Sequence, residues 1–322
     1  MIAAPSQPAE SHPTIPRATA VVFAYHDVGL RCLKVLLAQG VRVSLVLTHE
    51  DDPKERVWFG SVAALAAEHG IPAITPDDPN TPETIERIRA LAPDFLFSFY
   101  YRRMLSPAVL ALTRRGAYNM HGSLLPKFRG RVPVNWAVIK GATETGATLH
   151  EMVEKPDAGR IAGQQAVPIG PDDTAHDVFL KVVTASVTVL ERCLPAIVDG
   201  SATLKPQDLA QGSYFGGRKP EDGRIDWRMG AQDIHNLVRG VAPPYPGAFT
   251  QLRPEGGIPE ASLRILRTRI DSTRQARPGG PGLYCASGAY YADCADGKVL
   301  RLLEVEGAPD PAIIGNSKIA LH

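Results

Sequence analysis

An asparagine and a histidine two residues apart, Asn119 and His121, stand just ahead of Gly122-Ser123-Leu124-Leu125-Pro126, and a carboxylate follows in Lys155-Pro156-Asp157-Ala158-Gly159. An imidazole moves protons near neutral pH, an amide NH₂ can hold a developing oxyanion, and a carboxylate can orient the imidazole and favour its charged form. The three together suit acyl transfer. Residues 117–121 read as a short strand after the turn signal Arg115-Gly116, and side chains two apart on a strand share a face. Gly122 and Pro126 end that strand, so Asn119 and His121 are expected at a carboxyl edge, where open α/β sheets bind their ligands. No clustered His/Asp/Glu spacing accompanies His121, so no metal is expected.

The elements that must position these residues follow from the rhythm around them. The first two-thirds of the chain alternates apolar β-branched runs with helical patterns, as in a parallel sheet covered by helices. Strands are predicted at 19–24, 42–48, 72–75, 95–99, 117–121 and 148–153, and helices at 30–39, 61–69, 82–91 and 133–140, with Gly40 and Gly70 as stops. A long helix is predicted from Thr174 to Gly200, with Asp172 and Asp173 as candidate caps and Ala175, Val178, Phe179, Val182, Val189, Cys193 and Ile197 near helical spacing. Residues 201–217 are polar, carry Pro and Gly without periodicity, and read as a domain linker. One more helix is predicted at 231–241. Beyond Pro243, alternating runs at 248–252, 262–269, 282–286 and 299–304 predict a small β-barrel. The expected class is α/β: a disordered leader at 1–17, a Rossmann-like parallel-sheet catalytic domain at 18–206 and a small β domain at 207–322.

Composition narrows the function. At 322 residues, 44% apolar and 21% charged, the chain can bury one large core and a smaller second one. Its formal net charge of +1 gives no field that would by itself draw in nucleic acid or an anionic membrane. No apolar run reaches the roughly 18 residues of a membrane span, and the first 17 residues lack an apolar signal-peptide region, so a cytoplasmic protein is expected. Cys32, Cys193, Cys285 and Cys294 show no paired spacing and read as small apolar residues. The run Val21-Val22-Phe23-Ala24-Tyr25-His26-Asp27-Val28-Gly29 could suggest a dinucleotide site, but the Gly-x-Gly-x-x-Gly cradle is missing and NAD is not expected. His26 reads as structural, and His69, His150, His176 and His235 carry no partner pattern.

Around the chemical residues lies a longer series: Phe97-Ser98-Phe99-Tyr100-Tyr101-Arg102, then Asn119-Met120-His121-Gly122-Ser123-Leu124-Leu125-Pro126-Lys127-Phe128-Arg129-Gly130, then Gly141-Ala142-Thr143-Glu144-Thr145-Gly146-Ala147-Thr148-Leu149-His150, completed by Asp157-Ala158-Gly159. In these segments the chain resembles the formyltransferases that use 10-formyltetrahydrofolate. It is most similar to those acting on UDP-4-amino-4-deoxy-L-arabinose, in lipid A modification and polymyxin resistance. The resemblance runs from Val21 to beyond Phe249. It implies Asn119 as oxyanion donor, His121 as proton carrier and Asp157 as its partner, with an OB-like C-terminal domain. It also implies 10-formyltetrahydrofolate as co-substrate, contacted by Arg103, Met104, Leu105, Arg131 and the loop Val153, Glu154, Lys155, Pro156 and Asp157. Arg103 departs from the usual residue there. Ser123 is left between turning the chain and binding sugar. Bifunctional relatives carry a C-terminal decarboxylase domain, for which no room follows the β-rich region, so a stand-alone enzyme is expected, its oligomeric partners open.

Other readings share parts of this pattern. Methionyl-tRNA formyltransferases have the same Asn-x-His core, but a tRNA binder needs clustered Lys and Arg. This chain is nearly neutral and has Glu50-Asp51-Asp52 where such enzymes are basic. A nucleic-acid partner is therefore not expected. Formylation of another nucleotide-linked amino sugar stays open. A folate or nucleotide-sugar binder without activity is the reading from another class, opposed by the presence of all three chemical residues.

Overall fold

The computed structural model describes residues 18–51, 53, 57–252, 261–310 and 318–321; the expected leader at 1–17 lies outside them, as do Asp52 and Lys54, Glu55 and Arg56 of the acidic segment. The chain begins with the unit β1 (Thr19–Ala24), α1 (His26–Ala38) and β2 (Arg42–Leu47), followed by α2 (Val62–Glu68), β3 (Ala73–Ile74), α3 (Pro82–Leu91), β4 (Phe95–Phe99), α4 (Pro107–Leu110) and β5 (Gly116–His121). Strands β1 and β4 are nearly continuous apolar runs, as expected of parallel strands covered on both faces. After β6 (Arg129–Gly130) and α5 (Pro133–Ile139) come β7 (Glu144–Glu151), β8 (Ile161–Pro168) and the 25-residue α6 (Ala175–Asp199). The sheet order is β3-β2-β1-β4-β5-β7-β8.

The first five strands of that order are mutually parallel, whereas β7 pairs antiparallel with β5, and β8 pairs antiparallel with β7. The sequence placed a strand at 148–153. The observed β7 starts four residues earlier, at Glu144, and ends at Glu151. Strand β8 was not expected, because Gly163, Gln164 and Gln165 interrupt its apolar pattern at the sheet edge. Thr174, not Asp172 or Asp173, caps α6: its hydroxyl accepts from the Asp177 N–H while the Asp177 carboxylate accepts from the Thr174 N–H. Asp173 instead accepts from the Gly170 N–H and pairs with Lys181. Helices α1, α5 and α6 bury their apolar stripes with β-strand residues Phe95, Phe97, Phe99, Tyr118 and Met120 in the main core.

The second half holds β9 (Tyr214–Phe215), α7 (Ala231–Val241), β10 (Ala248–Leu252), β11 (Ala261–Asp271), β12 (Gly282–Ala286), β13 (Ala289–Asp293), β14 (Val299–Glu306) and β15 (Ile319–Ala320). Six of these strands form a nearly closed antiparallel barrel in the order β10-β11-β14-β13-β12-β15. The short β13 and β15 were not expected from the sequence. Ile234, Leu237, Val238 and Val241 of α7 join Leu263, Ile265, Leu283 and Leu300 in a second core. The opposite face of α7 meets the first half, where Asn135 Nδ2 donates to the Gly240 carbonyl at 2.9 Å and Arg239 Nη1 to the Asp173 carbonyl at 3.0 Å.

Candidate active site

Side chains on one face of β4 and β5, including Phe97, Phe99, Tyr118 and Met120, enter the main core. The other face begins with Leu96 and Ala117, which join Val21, Phe23 and Ile88 in a smaller core. Past Ala117, this second face turns polar: Asn119 and His121 on β5 stand opposite His150 and Thr148 on β7. His121 is the last residue of β5, at the carboxyl edge that the sequence predicts. The chain leaves through Gly122, where an added Cβ would overlap the Tyr100 hydroxyl, so a larger residue there would have to displace that ring.

The structure brings the three sequence-predicted residues together. His121 is buried, with Nε2 donating to the Phe128 carbonyl at 2.8 Å and Nδ1 3.5 Å from Asp157 Oδ1. Both ring nitrogens therefore face acceptors, the Phe128 carbonyl and the Asp157 carboxylate. Asp157 is fixed in turn, because its Oδ2 accepts from the Gly130 N–H at 2.8 Å. Asn119 is half-buried on the same face.

His150, which carries no partner pattern in the sequence, is the fourth member of this cluster. Its Nε2 lies 3.2 Å from Asn119 Nδ2 and 3.7 Å from Asp157 Oδ1, and its Nδ1 lies 2.7 Å from the Glu151 carbonyl. Burial pushes its imidazole well below the ordinary range, with Asp157 opposing that shift and His121 adding to it. The signal that could have found it is the pairing of β5 with β7, which sets Asn119 directly opposite His150. Ser123 turns the chain, its hydroxyl donating to the Lys127 carbonyl at 2.6 Å.

The expected folate residues lie on two loops. Leu105 and Met152 both pack onto the smaller core, which places 103–105 and 153–157 along one border of the second face. Met104 and Val153 are 59% and 44% exposed, large apolar side chains left partly open to solvent. Such surface suits a flat aromatic ligand, with Arg103, Glu154 and Lys155 exposed beside it. Arg131 is exposed on the loop that follows β6. Among the described residues no group of three His, Cys, Asp or Glu is placed to hold a metal.

The stretch read as a linker also belongs to the site. Gln207 Nε2 donates to the Asp157 and Gly159 carbonyls, at 3.0 and 2.6 Å. Ser213 Oγ accepts from the Phe128 N–H, and β9 pairs with β6, so the peptides that hold His121 and Asp157 are themselves held by residues 207–215.

His26 illustrates a histidine used for packing. It sits in a left-handed conformation (φ 65°) with its ring against Trp58, Phe59 and Phe179. Burial first, then Arg102 and His176, lowers its pKa from 6.5 to about 3. The unfolded chain therefore binds the proton more tightly between those values, so this contribution to stability is full above pH 6.5 and is lost as pH falls towards about 3. In His26→Asn, a residue that tolerates positive φ, the fall in Tm between pH 7 and pH 5 is expected to be shallower than in the wild type. An unchanged slope in a thermal-melt series would remove His26 from that role.

Comparison with known proteins adds two findings. The formyl transferase family profile matches residues 31–194, and the profile of the formyl transferase C-terminal domain matches residues 218–312. Among solved structures, the chain is similar to an N-formyltransferase from Helicobacter canadensis in complex with folinic acid and dTDP-3-aminofucose, at 19% identity and TM-score 0.67, covering 89% of this chain and 99% of that one. It is similar to WlaRD, a sugar 3N-formyl transferase solved in the presence of dTDP and 5-N-formyl-THF, at 17% identity and TM-score 0.66, covering 89% and 98%. A sugar N-formyltransferase from a Shewanella species matches at 18% identity and TM-score 0.61, covering 79% and 99%. At these identities the likeness is one of fold.

Proposed function

The chain belongs to the formyl transferase family, and on that premise we propose that it transfers the formyl group of 10-formyltetrahydrofolate to the amine of a nucleotide-linked amino sugar. UDP-4-amino-4-deoxy-L-arabinose is the acceptor that the long motif series favours. On this reading the enzyme works in the cytoplasm, in the modification of lipid A. The observation that carries the reading is the His121–Asp157 contact beside Asn119 at the carboxyl edge, in a chain that has both halves of the family architecture.

In this reading the amine lone pair adds to the formyl carbon, and the carbonyl oxygen becomes an oxyanion. Asn119 donates an amide N–H to that oxygen; losing such a donor typically costs about 10²–10³ in rate. His121 acts with its hydrogen on Nδ1 towards Asp157 and with Nε2 turned from the Phe128 carbonyl to the substrate: Nε2 takes the proton released by the attacking nitrogen and returns one to the departing folate nitrogen as the carbon–nitrogen bond breaks, a role worth about 10²–10⁴. Asp157 stabilises the imidazolium between the two transfers. The loops at 103–105 and 153–157, with Arg131, bind the folate, Met104 and Val153 supplying apolar contact and Arg131 a charge for its carboxylates.

The test is an acceptor panel: purified protein, 10-formyltetrahydrofolate, UDP- and dTDP-linked amino sugars, and charged initiator tRNA. Turnover is expected with UDP-4-amino-4-deoxy-L-arabinose and none with methionyl-tRNA. Glu50 and Asp51 are exposed beside the first strands, where they oppose a phosphate backbone. Acceptor binding should accordingly weaken only gently with salt, since one diphosphate releases few counterions. Transfer to methionyl-tRNA with no turnover of any amino sugar would overturn the proposal.

A further inference from the structure

We propose that His150 is the positioning residue that fixes the Asn119 amide with its N–H groups towards the reacting oxygen, a role that rests on the formyl-transfer reading above. A free asparagine amide presents either its oxygen or its nitrogen to a given neighbour, because the two ends have the same shape. An oxyanion is stabilised only by the nitrogen end. The choice is made by whatever the amide meets on its protein side, and here that is His150 Nε2 at 3.2 Å.

The state of His150 follows from its surroundings. Its Nδ1 lies 2.7 Å from the Glu151 carbonyl, an acceptor only, so Nδ1 carries the hydrogen. The side chain is 2% exposed, and a charge there would be poorly solvated. A neutral ring with its hydrogen on Nδ1 has a lone pair on Nε2, which accepts from Asn119 Nδ2 and rejects the amide oxygen. One amide N–H is thereby consumed and the second is left to donate to the substrate. The backbone register sets the two side chains side by side, since Asn119 and His150 are direct partners across the β5–β7 pair. Asp157 Oδ1 lies 3.7 Å from Nε2 and 3.5 Å from His121 Nδ1, both longer than a hydrogen bond, so the Asn119 amide at 3.2 Å is the nearer partner of Nε2. The two histidines thus divide the work: His121 is placed to exchange protons, and His150 to keep one tautomer.

Two substitutions and one spectroscopic measurement test the assignment. His150→Leu keeps bulk but has no acceptor, whereas the extended amide of His150→Gln can place an oxygen near the Nε2 position. With 10-formyltetrahydrofolate and the amino sugar that the wild type turns over, His150→Leu is expected to lower kcat by about 10–100-fold, part of the cost of losing an oxyanion donor. KM for each substrate should change less than about threefold, because the amide acts on the transition state. His150→Gln should recover most of the loss, with no new ionisation in the pH profile of kcat. Nitrogen-15 NMR of the unliganded wild-type protein should show His150 as the neutral Nδ1–H form between pH 6 and pH 8. An Nε2–H form, or a His150→Leu enzyme with wild-type kcat, would overturn the inference. Because the tautomer is read without substrate, it stands apart from the acceptor question: a wild-type enzyme inactive on every amine refutes the functional reading, not the His150 geometry.

Discussion

His121→Ala should fold as the wild type does and lose about 10²–10⁴ in kcat, the usual worth of a positioned acid–base group. The substitution leaves Asp157 held by the Gly130 N–H, so the loop has no reason to collapse. Asn119→Ala should cost about 10²–10³ through loss of the oxyanion donor. The double variant should fall well short of the product of the two effects, since groups serving one transition state are not additive. Steady-state kinetics with the acceptor identified in the panel, beside thermal melts of each variant, decides the matter. A His121→Ala enzyme retaining more than about a tenth of wild-type kcat sinks the assignment.

Gly130→Ala is expected to be nearly as damaging, although residue 130 does no chemistry. Its φ of 97° is a conformation that side chains rarely adopt, and an added Cβ would overlap the Phe215 carbonyl oxygen. Strained backbone of this kind costs about 1–3 kcal/mol, and relieving it means moving β6 away from β9. That movement carries the Gly130 N–H off Asp157 and disturbs the Phe128 carbonyl that holds His121. We expect kcat/KM down by about 10²-fold, the size of effect that a 1 Å misplacement of catalytic groups produces, together with a lowered Tm. A variant with native kinetics would show that the loop is positioned by something other than this glycine.

Asn119 and His121 were legible because what sets them on one face is local: two residues of one strand and a glycine that ends it. The parallel core was legible for a similar reason, since β1 and β4 are almost uninterrupted apolar runs. His150 was not. Its neighbour is set by an antiparallel register across β5 and β7, and single-sequence periodicity says nothing about which residue lies opposite which. Strand β8 escaped because glutamines and a glycine fill it, a pattern that an edge strand tolerates and a central one does not. Residues 207–215 looked like a tether because they are polar and aperiodic. Their hydrogen bonds to Phe128, Arg129, Asp157 and Gly159 depend on where the chain passes.

That passage sets a rule for anyone recombining the two halves of this protein. A cut placed at the end of α6, the obvious seam by eye, would hand Gln207 and Ser213 to the barrel side and leave the catalytic half without the peptides that brace its own loop. A graft that swaps in a foreign barrel should carry the native chain through at least Gly217, past the Trp136 Nε1 bond to the Gly216 carbonyl, and join there. The segment between the halves behaves as part of the catalytic scaffold, and exchange of modules within this architecture is constrained by where that scaffold ends rather than by where the helices do.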